Sequence, residues 1–139
     1  MAQFKQFTVE IPVRFTDLDA YGHVNNAVFF TYLEHARIRI LEGEFNPSMQ
    51  SEPVFLVRSA SCLYISPIPM RDTVTVEVQV ETLKRMSVTL NYRITDGDGL
   101  LYAEASTVLV SFDPIAKRPV GIPNWFIALI TDTEGSADS

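Results

Sequence analysis

The sequence contains few cysteines and histidines and is short of positive charge. Its single cysteine, Cys62, cannot form an intramolecular disulfide, and one cysteine with two histidines is too few for a zinc site unless carboxylates or another subunit contribute ligands. We therefore expect no metal and no redox cofactor, and a reducing, cytoplasmic location. The 11 basic and 17 acidic residues give a net charge of -6, which offers no electrostatic footprint for nucleic acid.

Long apolar runs and several well-known motifs are also absent. No apolar run approaches the roughly 18 residues of a membrane span, and the first residues, MAQFKQFTVE, lack the apolar core of a signal peptide. A G-x-S-x-G nucleophile elbow, a Walker A sequence and a Rossmann glycine run are missing. We expect a soluble single domain over 1–139, with its core at about 7–130 and a solvated tail over 131–139.

The spacing of apolar residues in the first half changes from that of a strand to that of a helix. Alternation over 7–15 predicts a half-buried strand, and Pro12, which cannot donate a ladder hydrogen bond, places that strand at a sheet edge or at a bulge. Helical spacing follows and predicts an amphipathic helix over about 26–42, with these residues on its apolar face: Phe29, Tyr32, Leu33, Ala36 and Ile40. Gly43 is a plausible helix stop, and 44–53 reads as an irregular connection.

From Val54 onward the pattern is that of strands. Alternating apolar residues over 74–80 and 88–94 predict two strands, each with one solvent-exposed face. The DGDG sequence at 96–99 predicts a hairpin turn, and the next strand, 101–112, becomes apolar on both faces and should be central. A short helix is expected from Pro123. Strand, helix and four further strands make an α+β domain in which one helix covers one face of a curved sheet.

The run DLDAYGHVNN, from Asp17 to Asn26, concentrates polar residues at the corner between strand and helix. Together with the flanking VRFTDLDAYGHVNNAVFFTYLEHAR and the later YISPIPMRDTVTVEV, it resembles the hotdog-fold acyl-CoA thioesterases of the 4-hydroxybenzoyl-CoA thioesterase-like superfamily. The resemblance spans roughly residues 7–112. It implies a hotdog fold, a five-stranded antiparallel sheet wrapped around one central helix, and hydrolysis of an acyl-CoA to a carboxylic acid and free CoA.

Thioester hydrolysis needs a nucleophile or general base and a donor for the developing oxyanion. Asp19 matches the family's catalytic carboxylate, acting either by direct attack through a mixed anhydride or as a base on water. Asp17 is read as a structural hydrogen-bond acceptor at the strand end. Gly22 lets the chain turn closely. The amides around Asn25 and Asn26, at the helix start, are placed to polarise the carbonyl.

Other residues of the run have open or secondary roles. His23 either orients water and contacts the thioester or fixes the loop by hydrogen bonds. Asn25 is a helix-capping type, and the backbone amide of Asn26 matches the family's polarising amide. Tyr21, Gly22 and Asn25 are assigned to the substrate-binding surface, although plant relatives have an asparagine where this chain has Tyr21.

Residues outside the run carry weaker signals. Cys62 lies in a mostly apolar strand and reads as a packing thiol. His35 should be half exposed on the helix. Lys84, Arg85 and Ser87, between two strands, are candidates for contact with a CoA phosphate, although solvated hairpin charges also explain Lys84 and Arg85.

The alternatives to an acyl-CoA thioesterase are a non-catalytic acyl-thioester or lipid-binding hotdog protein and, with less support, a hotdog dehydratase or hydratase. Aromatic, short and long aliphatic acyl groups all remain open. Residues 54–66 form a poorly protected strand that the resemblance places at a sheet edge. We therefore expect this strand to pair with its symmetry mate in a homodimer, and a homotetramer made of two such dimers stays open as the alternative.

Overall fold

The computed structural model describes residues 4–41 and 54–131. The elements, in chain order, are β1 (Gln6–Pro12), α1 (Asn26–Leu41), β2 (Val54–Tyr64), β3 (Thr73–Leu83), β4 (Ser87–Thr95), β5 (Leu101–Asp113), β6 (Arg118–Pro119) and α2 (Asn124–Ile130). The predicted helix stop at Gly43, the connection at 44–53 and the tail beyond Thr131 lie outside the described residues.

All strands belong to one antiparallel sheet of order β1-β3-β4-β5-β2, with the two-residue β6 paired to the end of β5. The predicted five-stranded antiparallel sheet is confirmed, and β6 is a short addition to it. Among the described strands, β1 pairs with β3 alone, so of the two positions that Pro12 indicated, an edge or a bulge, the edge is correct. β5 pairs with β4 on one side and β2 on the other, as expected of a central strand.

α1 lies against one face of the sheet and contacts β1, β2 and β3. The five predicted apolar positions of the helix are all buried, together with Leu41. They meet the alternating buried residues of β3 and β4, such as Val76 and Tyr92. Each fully buried large apolar side chain of this kind stabilises the fold by about 1.5–3 kcal/mol. This packing fixes the start of α1 over one end of the sheet.

The predicted end of the first strand, at residue 15, is wrong by three residues. The first strand stops at Pro12, and Phe15–Asp17 form a 3-10 turn with Phe15 exposed. The turn forms because the Asp17 carboxylate binds the backbone N–H of Arg14, which ends the ladder. At the other end of the described residues, Thr131 forms an isolated β-bridge with Phe4.

Neither described helix is long and apolar enough to cross a membrane.

Candidate active site

Asp17 anchors the corner between β1 and α1. Its side chain is 2 % exposed and accepts hydrogen bonds from the Arg14 backbone N–H at 2.9 Å and from the Tyr32 hydroxyl at 2.8 Å. The Arg14 guanidinium adds a contact of 3.0 Å, and the Asp17 carbonyl accepts the backbone N–H of Asn25. Asp17 therefore ties the strand end, the helix and the intervening loop together, which is the structural role predicted for it.

The charge state of Asp17 follows from these contacts. Burial acts to raise its pKa, but the hydrogen bonds from the Arg14 backbone and the Tyr32 hydroxyl, with the Arg14 guanidinium, outweigh burial and hold the pKa below its ordinary value. Burial, followed by the bond to Asp17, raises the pKa of Tyr32. Asp17 is thus an ionised anchor with its oxygens occupied by protein donors.

Asp19, two residues later, is exposed and differently arranged. Its Oδ1 accepts the backbone N–H groups of Tyr21 at 2.8 Å and His23 at 3.3 Å. The backbone of Asp19 also binds that of His23 and Gly22, with Asp19 N to His23 O at 2.8 Å. Gly22 has a φ of +80°, a conformation that residues with a side chain rarely adopt. The loop therefore holds one carboxylate oxygen, while Oδ2 accepts no hydrogen bond from the residues that the structure describes.

The start of α1 lies beside this carboxylate. The Asn25 side chain accepts the backbone N–H of Ala27 at 3.0 Å, which is the capping role predicted for it. Within 4–41 and 54–131, no acceptor is found for the backbone N–H of Asn26, the first residue of the helix. An unpaired N–H with the partial positive charge of the helix start is therefore available at this point.

A cavity of about 310 Å³ brings these groups together. Asp19, His23 and Asn26 line it, and the opposite wall comes from the end of β2 and the chain after it, Tyr64–Pro67. The Tyr64 hydroxyl donates to the Asn26 carbonyl at 3.0 Å, and its ring meets Phe29 edge-on with 4.9 Å between centroids. Sequence reasoning missed Tyr64, since no local pattern links a residue of β2 to a loop some forty positions earlier.

The segment between β2 and β3 supports the loop from outside. The Ile68 carbonyl accepts the Val24 backbone N–H at 2.8 Å, and Pro69 forms an isolated β-bridge with His23. Arg71 holds this segment to the β4–β5 turn, through bonds to the Tyr102 hydroxyl at 2.8 Å and to the Asp96 carbonyl at 3.1 Å. Arg71 was not singled out by the sequence because its partners lie 25 and 31 residues away along the chain.

The other predicted residues lie outside this cavity. Tyr21 is 87 % exposed on the loop. Lys84 and Arg85 lie in the β3–β4 turn at the far end of the sheet, and Ser87 is the first residue of β4 there. Ser87 pairs with Val110 of β5, whereas Tyr64 pairs with Ala103, and seven strand residues span about 23 Å.

Two further side chains match their predicted environments. Cys62 is half-buried, and burial raises the pKa of its thiol, which suits a packing residue. His35 is also half-buried on α1. No group of three or more potential metal-ligating side chains occurs in the described part of the chain.

Comparison with known families identifies this architecture. A family model described as the thioesterase-like superfamily matches residues 13–130, which include the Asp17–Asn26 loop, α1 and the whole sheet after it. The chain belongs to the thioesterase-like superfamily. The hotdog fold and the thioesterase family predicted from the Asp17–Arg37 run are thereby confirmed.

Individual thioesterase relatives cover most of the chain. The long-chain acyl-CoA thioesterase FadM of Escherichia coli is 33% identical over 116 residues, which are 81% of this chain and 88% of FadM. The acyl-CoA thioester hydrolase YbgC of Escherichia coli is 26% identical over 125 residues, 88% of this chain and 93% of YbgC. A solved thioesterase from Thermus thermophilus, complexed with coenzyme A and zinc, is 36% identical, with a TM-score of 0.76 over 88% of this chain and 90% of that one.

Proposed function

We propose that this thioesterase-like protein hydrolyses an acyl-CoA to a carboxylic acid and free CoA in the cytoplasm, without a metal or redox cofactor. The observation that carries the proposal is that one cavity at the start of α1 is lined both by an exposed carboxylate, Asp19, and by Asn26, whose N–H has no acceptor among the described residues. The FadM, YbgC and Thermus thioesterase relatives support the substrate class.

In the proposed reaction, the Asn26 N–H and the Asp19 carboxylate have separate roles. The thioester carbonyl oxygen accepts the Asn26 N–H, and the helix start stabilises the negative charge that develops there. Asp19 Oδ2 then either attacks the carbonyl carbon, giving a mixed anhydride that water hydrolyses, or takes a proton from an attacking water. In both routes a C–O bond forms, the C–S bond breaks, and the CoA thiolate leaves and takes up a proton.

His23 lies next to the Asp19 carboxylate and contributes to its orientation. Its backbone N–H binds Asp19 Oδ1 and so orients the carboxylate, and His23 is among the residues that line the cavity. We assign the backbone to positioning Asp19 and the ring to contact with the attacking water or the thioester. Tyr64 holds the first turn of α1 against β2 and thereby positions the Asn26 amide.

A second subunit completes the site in this proposal. β2 is an edge strand with exposed apolar side chains: Leu56 and Val57 are each 46 % exposed and Leu63 is 62 % exposed. Such an edge favours pairing with another strand. Antiparallel pairing of β2 with its symmetry mate brings the partner's β3–β4 turn to the end of the sheet that carries Asp19. Lys84, Arg85 and Ser87 of that turn then contact the CoA phosphates.

The test is release of free thiol from a panel of acyl-CoAs. We expect wild-type turnover with at least one of them and a loss of at least about a hundredfold in kcat for Asp19→Asn, the scale of a lost nucleophile or general base. Asp98→Asn, which makes the same change on the exposed β4–β5 turn, is the control and should retain activity. Near-wild-type kcat in Asp19→Asn would remove Asp19 as the catalyst. Binding of acyl-CoA without turnover by the wild type would instead support a non-catalytic binding protein.

A further inference from the structure

Two turns lie next to each other at the end of the sheet opposite the active-site loop. One is the β3–β4 turn, residues 84–86, and the other joins β5 to the first residue of β6, residues 114–118. The Met86 carbonyl at the end of the first turn accepts the backbone N–H of Ser111 in β5 at 2.9 Å. The first turn therefore packs beside the strand that leads into the second, and we call the two together the far-end turns.

The β5–β6 turn extends beyond the β3–β4 turn and carries an exposed isoleucine. β5 continues for two residues past Ser111 before this turn begins, which is about 7 Å. Ile115 is 91 % exposed, more than any other large apolar residue that the structure describes. The turn has a defined shape, because Asp113 Oδ1 accepts the backbone N–H groups of Ile115 at 2.8 Å and Ala116 at 3.1 Å. An ordered turn thus holds an apolar side chain in solvent.

Positive charge is concentrated in the same two turns. Lys84 and Arg85 lie in the first turn, and Lys117 and Arg118 lie in the second. These four residues are more than a third of the 11 basic residues in a chain whose net charge is -6. All four are exposed, and none forms a salt bridge within the described part of the chain. The far-end turns are therefore a locally basic surface on an acidic protein.

An exposed aliphatic tip with cations behind it is suited to an anionic lipid surface. Negative lipid headgroups attract Lys and Arg side chains, and an exposed isoleucine is stabilised when it enters the boundary between headgroups and acyl chains. A protein partner would need about 800 Å² of complementary surface on each side, which a protruding turn does not offer. A fluid lipid surface can instead adapt to such a turn. The charge complementarity and the shape together favour a membrane.

We propose that the far-end turns bind the surface of a membrane that contains anionic phospholipids, with Ile115 inserted below the headgroups and Lys117 and Arg118 on the phosphates. Binding of this kind holds the protein at the surface and requires no membrane-crossing segment. Lys84 and Arg85, which are assigned above to the CoA phosphates, add positive charge to the same end of the sheet. The inference itself depends on the β5–β6 turn and holds independently of the proposed thioesterase function.

Co-sedimentation with sucrose-loaded vesicles measures this binding without any thioester. At about 0.1 M salt, the wild-type protein should bind vesicles of equal parts phosphatidylglycerol and phosphatidylcholine at least about tenfold more tightly than vesicles of phosphatidylcholine alone. Ile115→Ser should weaken binding to the anionic vesicles by about tenfold, and the double variant Lys117→Gln and Arg118→Gln by at least about tenfold. Leu100→Ser is the matched control, because Leu100 is 49 % exposed in the β4–β5 turn at the opposite end of the sheet. It should bind as the wild type does.

A tryptophan introduced at the tip reports on insertion. Since Trp125 is the only tryptophan in the chain, the difference between variant and wild-type spectra isolates the new side chain. On anionic vesicles, the emission of Ile115→Trp should shift to shorter wavelengths and be quenched by phospholipids with brominated acyl chains, whereas that of Leu100→Trp should do neither.

Three results would overturn the proposal. The first is equal binding of the wild type to neutral and anionic vesicles, and the second is wild-type binding by both Ile115→Ser and the double variant. The third is retention on immobilised poly-L-glutamate without binding to any vesicle, which would indicate an acidic protein as the partner.

Discussion

Asp17 and Asp19 are two residues apart, and their surroundings give them different chemistry. Asp17 is buried, and protein donors occupy both of its oxygens. Asp19 is exposed, and two backbone N–H groups of its own loop bind Oδ1, whereas no donor among the described residues binds Oδ2. The first carboxylate therefore holds the corner together, and the second has an oxygen left for a substrate.

Asp17→Asn should mainly reduce stability. Near pH 7 we expect the free energy of unfolding to fall by about 2–3 kcal/mol, because charge-assisted hydrogen bonds to a buried group are lost. The folded pKa of Asp17 is lowered from its ordinary 3.8, so the wild-type advantage is fully present above that value. It should disappear as the pH falls through the folded pKa. Urea unfolding of both proteins at a series of pH values measures the difference.

Activity provides a second measurement on the same variant. At temperatures where it remains folded, Asp17→Asn should lose much less kcat than Asp19→Asn. Equal losses with unchanged melting temperatures would mean that the two carboxylates act as a catalytic pair.

Gly22→Ala tests the loop that orients Asp19. A Cβ at Gly22 meets nothing within 4 Å, so its cost comes from the positive φ alone, about 1–2 kcal/mol. If the loop relaxes, the N–H groups of Tyr21 and His23 leave Asp19, and kcat should drop by about tenfold. Gly99→Ala is the matched control, since Gly99 also has a positive φ and open space but lies in the β4–β5 turn. A comparable loss of kcat in both variants would argue against a specific role for the Gly22 loop.

At the scale of secondary-structure elements, the segment between β2 and β3 acts as a brace, which is to say a packed support, for the loop that carries Asp19. Ile68 and Pro69 contact the loop, and Arg71 fixes the segment to Tyr102 and Asp96. The brace thus depends on a side chain that does not line the cavity itself.

Arg71→Met should loosen this brace. Loss of a charged donor to the buried Tyr102 hydroxyl should lower the melting temperature by about 3–8 °C. We also expect kcat to fall by about two- to tenfold because the loop around His23 becomes less well positioned. Arg93→Met removes exposed ion pairs with Glu77 and Glu104 on the other face of the sheet, and should change neither quantity appreciably. A lower melting temperature with unchanged kcat would limit Arg71 to a stabilising role.

The elements themselves were largely predictable, because their apolar spacing is local. Alternating valines at 74–80 and the stripe at Phe29–Ile40 predicted β3 and α1, and the loop from Asp17 to Asn26 was identified within the sequence. The end of β1 was misplaced because a side chain, Asp17, competes with the ladder for the Arg14 backbone. Tyr64 could not be assigned to the cavity that contains Asp19, since strand pairing brings it there from a distant position.

At the scale of the whole molecule, we predict a dimer joined through β2. Light scattering at low micromolar concentration should give about twice the chain mass of 15.6 kDa. Cys62→Asp, which introduces a charge into β2 two residues before its end at Tyr64, should shift the protein toward monomer and reduce kcat/KM. Gln6→Asp places the same charge on β1, the opposite edge of the sheet, and should leave the dimer intact.

A fully active wild-type monomer would contradict the shared site. If Cys62→Asp becomes monomeric and its turnover is unchanged, the predicted wild-type dimer through β2 is supported, but a contribution of the partner subunit to catalysis is excluded.

The order of strands along the chain also determines when each strand can pair with its partner during synthesis. β2 ends at Tyr64, but its partner β5, which runs from Leu101 to Asp113, is synthesised later. In the same way, β1 is synthesised well before its partner β3. Such long-range pairings make folding slow, and on a ribosome β2 remains without its partner for on the order of several seconds. The strand that bears one wall of the cavity containing Asp19 is therefore open to aggregation in the nascent chain during this interval.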